Sequence, residues 1–569
     1  MITYIKKYIA AGFVGCAVCA VTTSCSDFLE ILPLNDVVLE NYWTDKGDVE
    51  SVMNSCYETL EHGDVLQRYA VWGELRSDNM THGANVPNEI NEILKENLLP
   101  SNTYCNWSKF YEAINRCNIL CHYAPKVQAI DPNYTEEEMR ANVAEATWIR
   151  SLSYFYLIRT FRDVPYSTEP SIDDTQNYIL PAMPFNQVLD SLIYSLETVK
   201  GDAVRRYYTD ESPSAWQNSC RVTRWAVYAL LADLYLWKGD WDNAIRYCDL
   251  VIDYKKLQFE ELLEREGNVN NIDLIDSIPM ILDHRKDMRT CGNAYNEIFG
   301  DGNSFESIIE LYFDRNQTQK NTLVSDYYGY NNDLLGRITP PSFLANKEIA
   351  TGSDKESVFK KFDGRAYSSF YNTSGDNFAI TKYNFTNVSY LTESVNKFSD
   401  LNFSYTRRSS GDANWIFYRL SDMLLIKAEA LIERDGEGDR ENAFTLINIV
   451  NKRANDGVKQ TRTTQLDPKS YVDSKSAMED LVLEERQREF IFEGKRWFDL
   501  IRFARRDGNN DRLVRLTARK YKQNRTAMEI KLADPNIIYF PYAKSELKVN
   551  PLLKQNPAFL TGEDSELTK

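Results

Sequence analysis

The chain has 569 residues, and its 83 acidic and 66 basic side chains give a formal net charge of −17 at pH 7. Nucleic acids and anionic lipid surfaces bind clustered lysine and arginine, so this acidity argues against either as the main partner and leaves neutral ligands open. The length is enough for a large core and, by length alone, for about two to four domains.

The first 24 residues have the layout of a secretory signal peptide. Two lysines precede an uncharged run over residues 8–21, and the small or hydroxylated residues TTS then lead to Cys25. The run is shorter than the roughly 20 residues that a helix needs to cross a bilayer. The TTSC segment resembles a bacterial lipobox, whose cysteine receives a lipid and becomes the new N-terminus. We therefore expect removal of residues 1–24 and a lipid anchor at Cys25; a soluble secreted protein is the alternative.

Helical periodicity dominates the chain beyond the leader. Residues 223–253 are typical of two amphipathic helices around a turn at Gly239, and residues 418–454 are typical of a second such pair. Small residues such as Ala428 and Ala443 stand where the tetratricopeptide pattern lets paired helices approach closely. A pair of this kind cannot bury its own apolar face, so several pairs must stack. The sequence predicts a mainly α-helical scaffold with tetratricopeptide-like helix pairs.

The helical pattern gives way to Gly, Asn, Ser and Tyr over about residues 256–416, with short alternations typical of β-strands, as in "SDYYGYNND". Long aromatic and polar loops on a helical scaffold commonly carry a binding surface. No Gly- or Pro-rich linker divides the chain. We therefore predict one domain over 25–569, with a scaffold at about 40–255 and 417–505, an irregular, loop-rich ligand-binding region between them, and a C-terminal segment, 506–569, packed on the scaffold.

Motifs for catalysis are absent from the sequence. There is no nucleophile elbow, phosphate-binding loop or zinc-protease motif, and the chain has only four histidines. One charged run is dense enough for a site, but a structural ion-pair network is the favoured interpretation; its members are Glu484, Glu485, Arg486, Arg488 and Glu489. The sequence predicts a protein that is not an enzyme and has no cofactor and no metal site. A surface glycosidase with two spatially paired acids stays as a less favoured alternative.

Seven segments, taken in chain order, resemble one known family. They are "CSDFLE" at 25, "NYW" at 41, "WGELRSDN" at 72, "AEATWIRSLSYFYLIRTFRDVP" at 144, "RLSDMLLIKAEAL" at 419, "ERQREFIFEGKRWFDLIRF" at 485 and "YFPYAKSELKVNPLLKQNPAF" at 539. The chain resembles the SusD/RagB family of nutrient-binding lipoproteins of Bacteroidetes. The resemblance implies an α-helical fold with four tetratricopeptide-like units, at the outer membrane and facing the cell exterior. It also implies capture of oligosaccharide for a SusC-like TonB-dependent transporter, while the RagB side of the family implies a peptide receptor as an alternative.

The family motifs belong to the scaffold, so candidate ligand residues must come from physical chemistry. Sugar rings present flat C–H faces and outward hydroxyls, which suit aromatic platforms flanked by amides or acids. The first candidate cluster is Tyr327, Tyr328, Tyr330, Asn331 and Asn332, the second is Asp78, Asn79, Tyr104 and Trp107, and the third is Trp415 with Asp412 and Asn414. Ordinary packing is the alternative for each cluster. The remaining alternative for the function is a structural repeat protein that docks partners and binds no ligand.

Overall fold

The computed structural model describes residues 42–560 apart from short internal segments. Those segments are 173–177, 210–211, 285–289, 315, 317–318, 330–335, 345–357, 360–362, 375–376, 391–402 and 456–465. Cys25 and the predicted signal peptide lie outside the described residues, as do Tyr330, Asn331 and Asn332.

The described part of the chain is mainly helical, as the sequence predicts. Its helices are α1 Lys46–Glu61, α2 Gly63–Ala70, α3 Asn88–Leu94, α4 Ser108–Ile130, α5 Glu136–Phe161, α6 Phe185–Val199, α7 Gln217–Cys220, α8 Arg224–Lys238, α9 Trp241–Glu266, α10 Asn293–Tyr295, α11 Gly364–Ser369, α12 Leu420–Arg434, α13 Asp439–Asn455, α14 Lys475–Phe490, α15 Arg496–Asp507, α16 Asp511–Thr517, α17 Arg525–Leu532 and α18 Lys544–Val549. None of these helices has the combination of length and apolar character that a membrane span requires.

The strands are short and pair two by two, always antiparallel. They are β1 Thr81–His82, β2 Val164–Pro165, β3 Ala182–Met183, β4 Ile272–Ile275, β5 Ile278–Ile281, β6 Ser307–Leu311, β7 Ile338–Thr339, β8 Phe370–Ser374, β9 Asn377–Ile380, β10 Phe385–Tyr390, β11 Phe403–Arg407 and β12 Trp415–Arg419. The pairs are β1 with β7, β2 with β3, β4 with β5, β6 with β12, β8 with β9 and β10 with β11. Ribbons of two strands need packing against other elements for stability, so the helices carry the fold.

Both predicted helix pairs are confirmed. Helix α8 ends at Gly239, whose φ of +82° gives the left-handed cap that the turn requires, and α9 follows directly. The second pair, α12 and α13, turns at Asp435, and the small residues Ala428 and Ala443 are fully buried in it. Helix α9 packs against α12, so the two pairs stack on each other. Helix α9 continues to Glu266, because an apolar face that includes the buried Phe259 extends it past the predicted scaffold boundary near residue 255.

The middle of the chain contains the predicted short strands, with one exception. The segment "SDYYGYNND" looked like a strand, but Val324–Tyr328 forms a single π-helical turn closed by a bond from Gly329 N to Val324 O at 3.0 Å. Val324 and Tyr328, four residues apart, are both buried. Their burial on one side of a helical turn outweighs the period-two alternation of the sequence.

A buried ion-pair lattice ties the middle of the chain to the second helix pair. Glu489, in α14, contacts the guanidinium groups of three arginines, Arg365, Arg419 and Arg453. Arg419 also reaches Glu493 at 2.9 Å. Although burial disfavours the ionised form, the three arginines hold the pKa of Glu489 well below its usual range. These contacts join α11, the end of β12, α13 and α14 at one point.

The charged run around Glu489 is therefore a structural ion-pair network, as predicted. Glu485 pairs with Arg488 at 2.8 Å, and Arg486 pairs with Asp499 of α15 at 2.9 Å. All four side chains are buried. These four charged groups are paired with one another inside the protein, so none of them is available to a ligand.

Replacing Glu489 with Gln should strongly destabilise the protein. The change keeps the shape of the side chain but leaves three arginines, two of them buried, without their shared partner, and breaking a buried ion pair costs about 3–5 kcal/mol. Urea denaturation would measure the free energy of unfolding. The matched control is Glu484→Gln, because that side chain is 57% exposed and lies 3.6 Å from Arg488. Equal stability of the two variants would contradict a stabilising role for the lattice.

Candidate functional site

Two of the predicted clusters are brought together by a short strand pair. In the β1–β7 pair, Thr81 lies opposite Thr339 and His82 lies opposite Ile338. The pairing continues past β1, since Gly83 N donates a hydrogen bond to the carbonyl oxygen of residue 337 at 2.9 Å. The loop after "WGELRSDN" thus lies against the segment that follows the tyrosine cluster.

Glycine is required where these two segments touch. A Cβ atom added to Gly83 would lie 2.1 Å from the carbonyl oxygen of Gly336, and one added to Gly336 would lie 2.3 Å from the carbonyl oxygen of Tyr327. Backbone atoms cannot give way as a flexible side chain does. The two segments therefore form a wall of closely packed backbone.

A partly buried lysine holds this wall to the C-terminal part of the chain. Lys520 Nζ donates to the carbonyl oxygens of Leu75, Arg76 and Ser77 at 3.2, 3.0 and 2.8 Å. Burial lowers the pKa of Lys520 to about 8. The three carbonyls precede β1, so the ammonium group positions the start of the wall.

Asp78 and Asn79, two predicted ligand residues, lie behind the wall and are fully buried. Asp78 accepts two hydrogen bonds from Arg496, at 2.9 and 3.1 Å. The Asn79 amide donates to Glu74 Oε1 at 2.6 Å and accepts from Gln487 at 2.7 Å. Their polar atoms are engaged by the protein, so these residues support the site rather than face a ligand.

The tyrosine cluster is also packed inward where the structure describes it. Tyr328 is fully buried, and its hydroxyl donates to the carbonyl oxygen of Phe492 at 2.8 Å. The hydroxyls of Tyr327 and Tyr104 contact each other and lie 3.3 and 3.1 Å from Gln67 Oε1. Tyr327 and Tyr104 are only 5% and 6% exposed. The two predicted clusters do meet, but through hydroxyl groups that join one loop to the other.

Trp107 and Trp415 are core residues. Trp107 packs against Phe161, with ring centroids 5.0 Å apart. Trp415 is 1% exposed and stacks between Tyr69 and Tyr383, at 6.2 and 5.3 Å. A sugar ring needs an accessible aromatic face, which the fold does not leave on either side chain. The structure therefore assigns these two predicted ligand residues to packing.

A cleft of about 580 Å³ opens on the outer side of the β1–β7 wall. Its volume is in the range of about 300–1,000 Å³ that is typical of ligand sites. We call it the basic cleft. Its lining includes His82, Lys95, Ser342, Phe343, Arg519, Lys520, Tyr521, Lys522 and Asn524.

The basic cleft carries positive charge in an acidic protein. Four of its side chains are lysine or arginine, and no carboxylate is present among the described residues that line it. Lys522 Nζ donates to Ser342 Oγ at 2.9 Å, and the Arg519 guanidinium lies 4.5 Å from the centre of the Phe343 ring. Burial lowers the pKa of His82, so its ring is uncharged near pH 7. The cleft is suited to a polar ligand with negative groups.

The sequence analysis missed the side chains that line this cleft. A signal was present in "TARKYKQN" at 517, where three basic residues fall within four positions around a tyrosine. Its partners, Lys95 and Phe343, lie far away in the chain, and only the β1–β7 pairing brings them to the same place.

Comparisons with known proteins agree with this fold. Residues 282–559 match the model of the SusD family, and residues 27–236 match a model described as starch-binding associating with outer membrane. The chain belongs to the SusD-like family. This confirms the resemblance seen in the sequence motifs. The two matched regions are separated by residues 237–281, which contain the end of α8, all of α9 and the β4–β5 hairpin.

Relatives of this SusD-like protein are distant but match over nearly their full length. A SusD-like protein of Formosa agariphila is 22% identical over 514 residues, which cover 87% of this chain and 91% of the relative. A crystal structure of a SusD superfamily protein from Bacteroides thetaiotaomicron has a TM-score of 0.64 at 19% identity and covers 91% and 99% of the two chains. Surface glycan-binding protein A from Bacteroides uniformis has a TM-score of 0.60 at 21% identity, covering 90% and 100%. At these identities the solved structures establish the fold.

Replacing Lys520 with Met should loosen the wall of the cleft. Three buried carbonyl oxygens would lose their shared donor, which should lower the free energy of unfolding by about 1–3 kcal/mol. Urea denaturation of the two lysine variants side by side would show the difference. The control is Lys522→Met, two residues along on an exposed position, for which we expect a change within about 0.5 kcal/mol. A Lys520 variant as stable as its control would contradict the positioning role.

Proposed function

We propose that this SusD-like protein is a cell-surface glycan receptor that captures oligosaccharide or polysaccharide and delivers it to a SusC-like TonB-dependent transporter. Membership of the family supports the proposal, as does the description of the matching N-terminal model as starch-binding and associated with the outer membrane. A structural neighbour named as a surface glycan-binding protein has the same fold.

One observation carries the choice of ligand, namely the positive charge of the basic cleft. We propose that the captured glycan bears carboxylate or sulfate groups, which Lys95, Arg519 and Lys522 would pair with. Hydroxyls of the same sugars suit the polar groups of Ser342 and Asn524 on the rim. Tyr521, which is half-buried, supplies an aromatic surface for the C–H face of a ring.

We propose that capture involves no catalysis. Hydrolysis of a glycosidic bond uses two carboxyl groups on either side of the scissile bond. The described residues that line the basic cleft include none, and the nearby acids Glu96, Asp78 and Glu74 are buried behind it. The proposal is therefore a binding protein that releases its ligand unchanged.

Membrane attachment in this proposal depends on the N-terminal leader. Cys25 would carry the lipid and hold the domain at the outer membrane, facing the cell exterior, beside the transporter. The short segment between Cys25 and Tyr42, the first described residue, would connect the lipid to the domain.

Removing two lysines from the cleft should weaken binding of acidic glycans. For Lys95→Gln combined with Lys522→Gln we expect a loss of about 1 kcal/mol, roughly fivefold in Kd, with little change in stability because both side chains are exposed. Affinity electrophoresis of residues 26–569 through gels containing polygalacturonate, alginate, chondroitin sulfate, amylopectin or dextran would measure it. We expect retardation by an acidic polymer that weakens with added salt.

The control variant is Lys548→Gln, which removes one exposed charge outside the cleft. Equal retardation by amylopectin and by the acidic polymers would contradict the charge-based choice of ligand. Retention of acidic peptides with no polysaccharide bound at all would favour the RagB-like peptide receptor instead.

Replacing Cys25 with Ser should release the protein from the membrane. The variant lacks the thiol that receives the lipid, so we expect it in the soluble fraction while the unmodified protein stays with the outer membrane. Cell fractionation with immunoblotting would test this. The membrane-bound form, extracted in mild detergent, should co-purify with a large β-barrel transporter; purification of an intact, fully lipidated protein with no such partner would contradict the delivery step.

A further inference from the structure

A second cleft lies beside the first helix pair, and its lining shares no residue with the basic cleft or with the predicted ligand clusters. It has a volume of about 410 Å³ and is formed by the junction of α7 and α8, the inner face of α9 and the chain that leads into β6. We call it the aromatic cleft. Its lining includes Trp216, Asn218, Thr223, Trp225, Lys255 and Gln258.

Stacked aromatic pairs stiffen the walls of this cleft. Trp216 stacks on Tyr312, with ring centroids 4.2 Å apart and planes 21° from parallel. Trp225 stacks on Tyr254 at 3.9 Å and 11°, and its indole N–H donates to the carbonyl oxygen of Arg205 at 3.0 Å. Both tryptophans are half-buried. Their rings are therefore held in place before any ligand arrives, which lowers the entropy lost on binding.

Thr223 lines the cleft and has a hydroxyl that no protein group bonds. It occupies the N-cap position of α8, where a threonine normally accepts a hydrogen bond from the first turn, but its side chain makes no such bond. The residue is only 2% exposed, and its Oγ1 is buried without a hydrogen-bond partner. Leaving a buried hydroxyl unpaired costs about 1–3 kcal/mol, so this group is suited to receive a partner from outside the chain.

Gln258 supplies a second unpaired group on the opposite wall. Its Oε1 atom is buried and has no hydrogen-bond partner in the structure. The hydroxyl of Thr223 both donates and accepts, whereas the carbonyl oxygen of Gln258 only accepts. Such a pair matches a ligand that carries several hydroxyl groups.

The remaining polar groups of the cleft are neutral or already engaged. Lys255 Nζ donates to the carbonyl oxygens of Phe305 and Ser307 at 2.7 and 3.0 Å, and thereby fixes the floor. The side chain of Asn218 bonds the backbone of Tyr207 and Tyr208. No carboxylate belongs to the described lining. Arg265, the other cation of the lining, pairs with Glu266 at 3.1 Å. Both cations of the cleft are thus engaged by the protein, so an uncharged ligand fits better here.

We propose that the aromatic cleft is a second binding site, specific for the ring of a neutral saccharide. The walls of Trp216 and Trp225 contact the apolar face of the sugar, and Thr223 and Gln258 bond its hydroxyls. The site extends the proposed glycan function but does not depend on the basic cleft.

Thr223→Val tests the role of the hydroxyl without disturbing the fold. Valine has nearly the same shape, and because the hydroxyl has no partner in the protein its removal should leave Tm unchanged or slightly raised. The affinity for a neutral sugar should fall roughly two- to tenfold. A lowered Tm would show that the hydroxyl already has a structural partner and would overturn its assignment to the ligand.

The site itself is tested by crystals of the full domain soaked separately in concentrated glucose, galactose, mannose and xylose. A sugar ring against Trp216 with a hydroxyl near Thr223 Oγ1 or Gln258 Oε1 supports the proposal. Water only in the cleft after all four soaks, or sugar bound elsewhere, overturns it. A sugar seen only at soaking concentration, with isothermal titration showing no difference between the protein and its Thr223→Val variant, also overturns it.

A second pair of variants separates stacking from folding. Trp216→Ala should lower the affinity for the sugar that binds about tenfold, whereas Trp216→Phe, which keeps an aromatic face over Tyr312, should restore most of it. The Lys95→Gln, Lys522→Gln variant should bind neutral sugar normally. If the unmodified protein binds neutral sugar but no acidic glycan, only the proposal for the basic cleft is overturned. If it binds acidic glycan but no neutral sugar, only the proposal for the aromatic cleft is overturned.

Discussion

The joint between Glu74 and the turn after α14 is the contact on which the rest of the structure depends. The Glu74 carboxylate accepts hydrogen bonds from the backbone N–H groups of Phe492, Lys495 and Arg496 at 3.0, 3.0 and 3.2 Å. A Cβ atom on Gly73 would lie 1.8 Å from the carbonyl oxygen of Gly494, so the two chains touch through glycine. Two of the quoted family motifs, "WGELRSDN" and "ERQREFIFEGKRWFDLIRF", meet here although more than 400 residues separate them. The contact between these two motifs holds the N-terminal part of the domain against its C-terminal part.

The functional geometry follows from this joint. Arg496, the first residue of α15, binds Asp78, and Lys520 donates to the carbonyl oxygens of the three residues between Glu74 and Asp78. The loop that leaves this region pairs with β7 and forms one wall of the basic cleft. A buried layer of charged groups thus supports the exposed residues of the basic cleft. This explains why polar residues such as Asp78 look functional in the sequence and yet face the interior.

The net charge of the whole chain is negative, whereas the charge at the basic cleft is positive. The net charge of −17 argues against nucleic acids and anionic lipid surfaces as partners, and the acidic residues are numerous. Many of them, such as Glu489, Glu493 and Asp499, are buried in pairs with arginine. Their charge is cancelled locally, and the basic cleft stays positive within an acidic protein. The potential that a ligand meets is set by the nearest few side chains, because screening in water limits the range of the others.

The sequence by itself determined the helical fold class, the two helix pairs, the structural nature of the charged run in α14 and the family, because each depends on residues close together in the chain. The helical period, the small residues at the helix contacts and the family motifs can each be recognised in a short stretch of sequence. Only the tertiary structure decided which aromatic residues are available to a ligand. Trp415 and Tyr328 are buried, whereas Trp216 and Trp225, which no sequence pattern distinguished, line a cleft. The basic cleft likewise joins Lys95, Phe343 and Lys522 through contacts across hundreds of residues. Such contacts have no local signature, since burial of a side chain depends on what the rest of the chain packs against it.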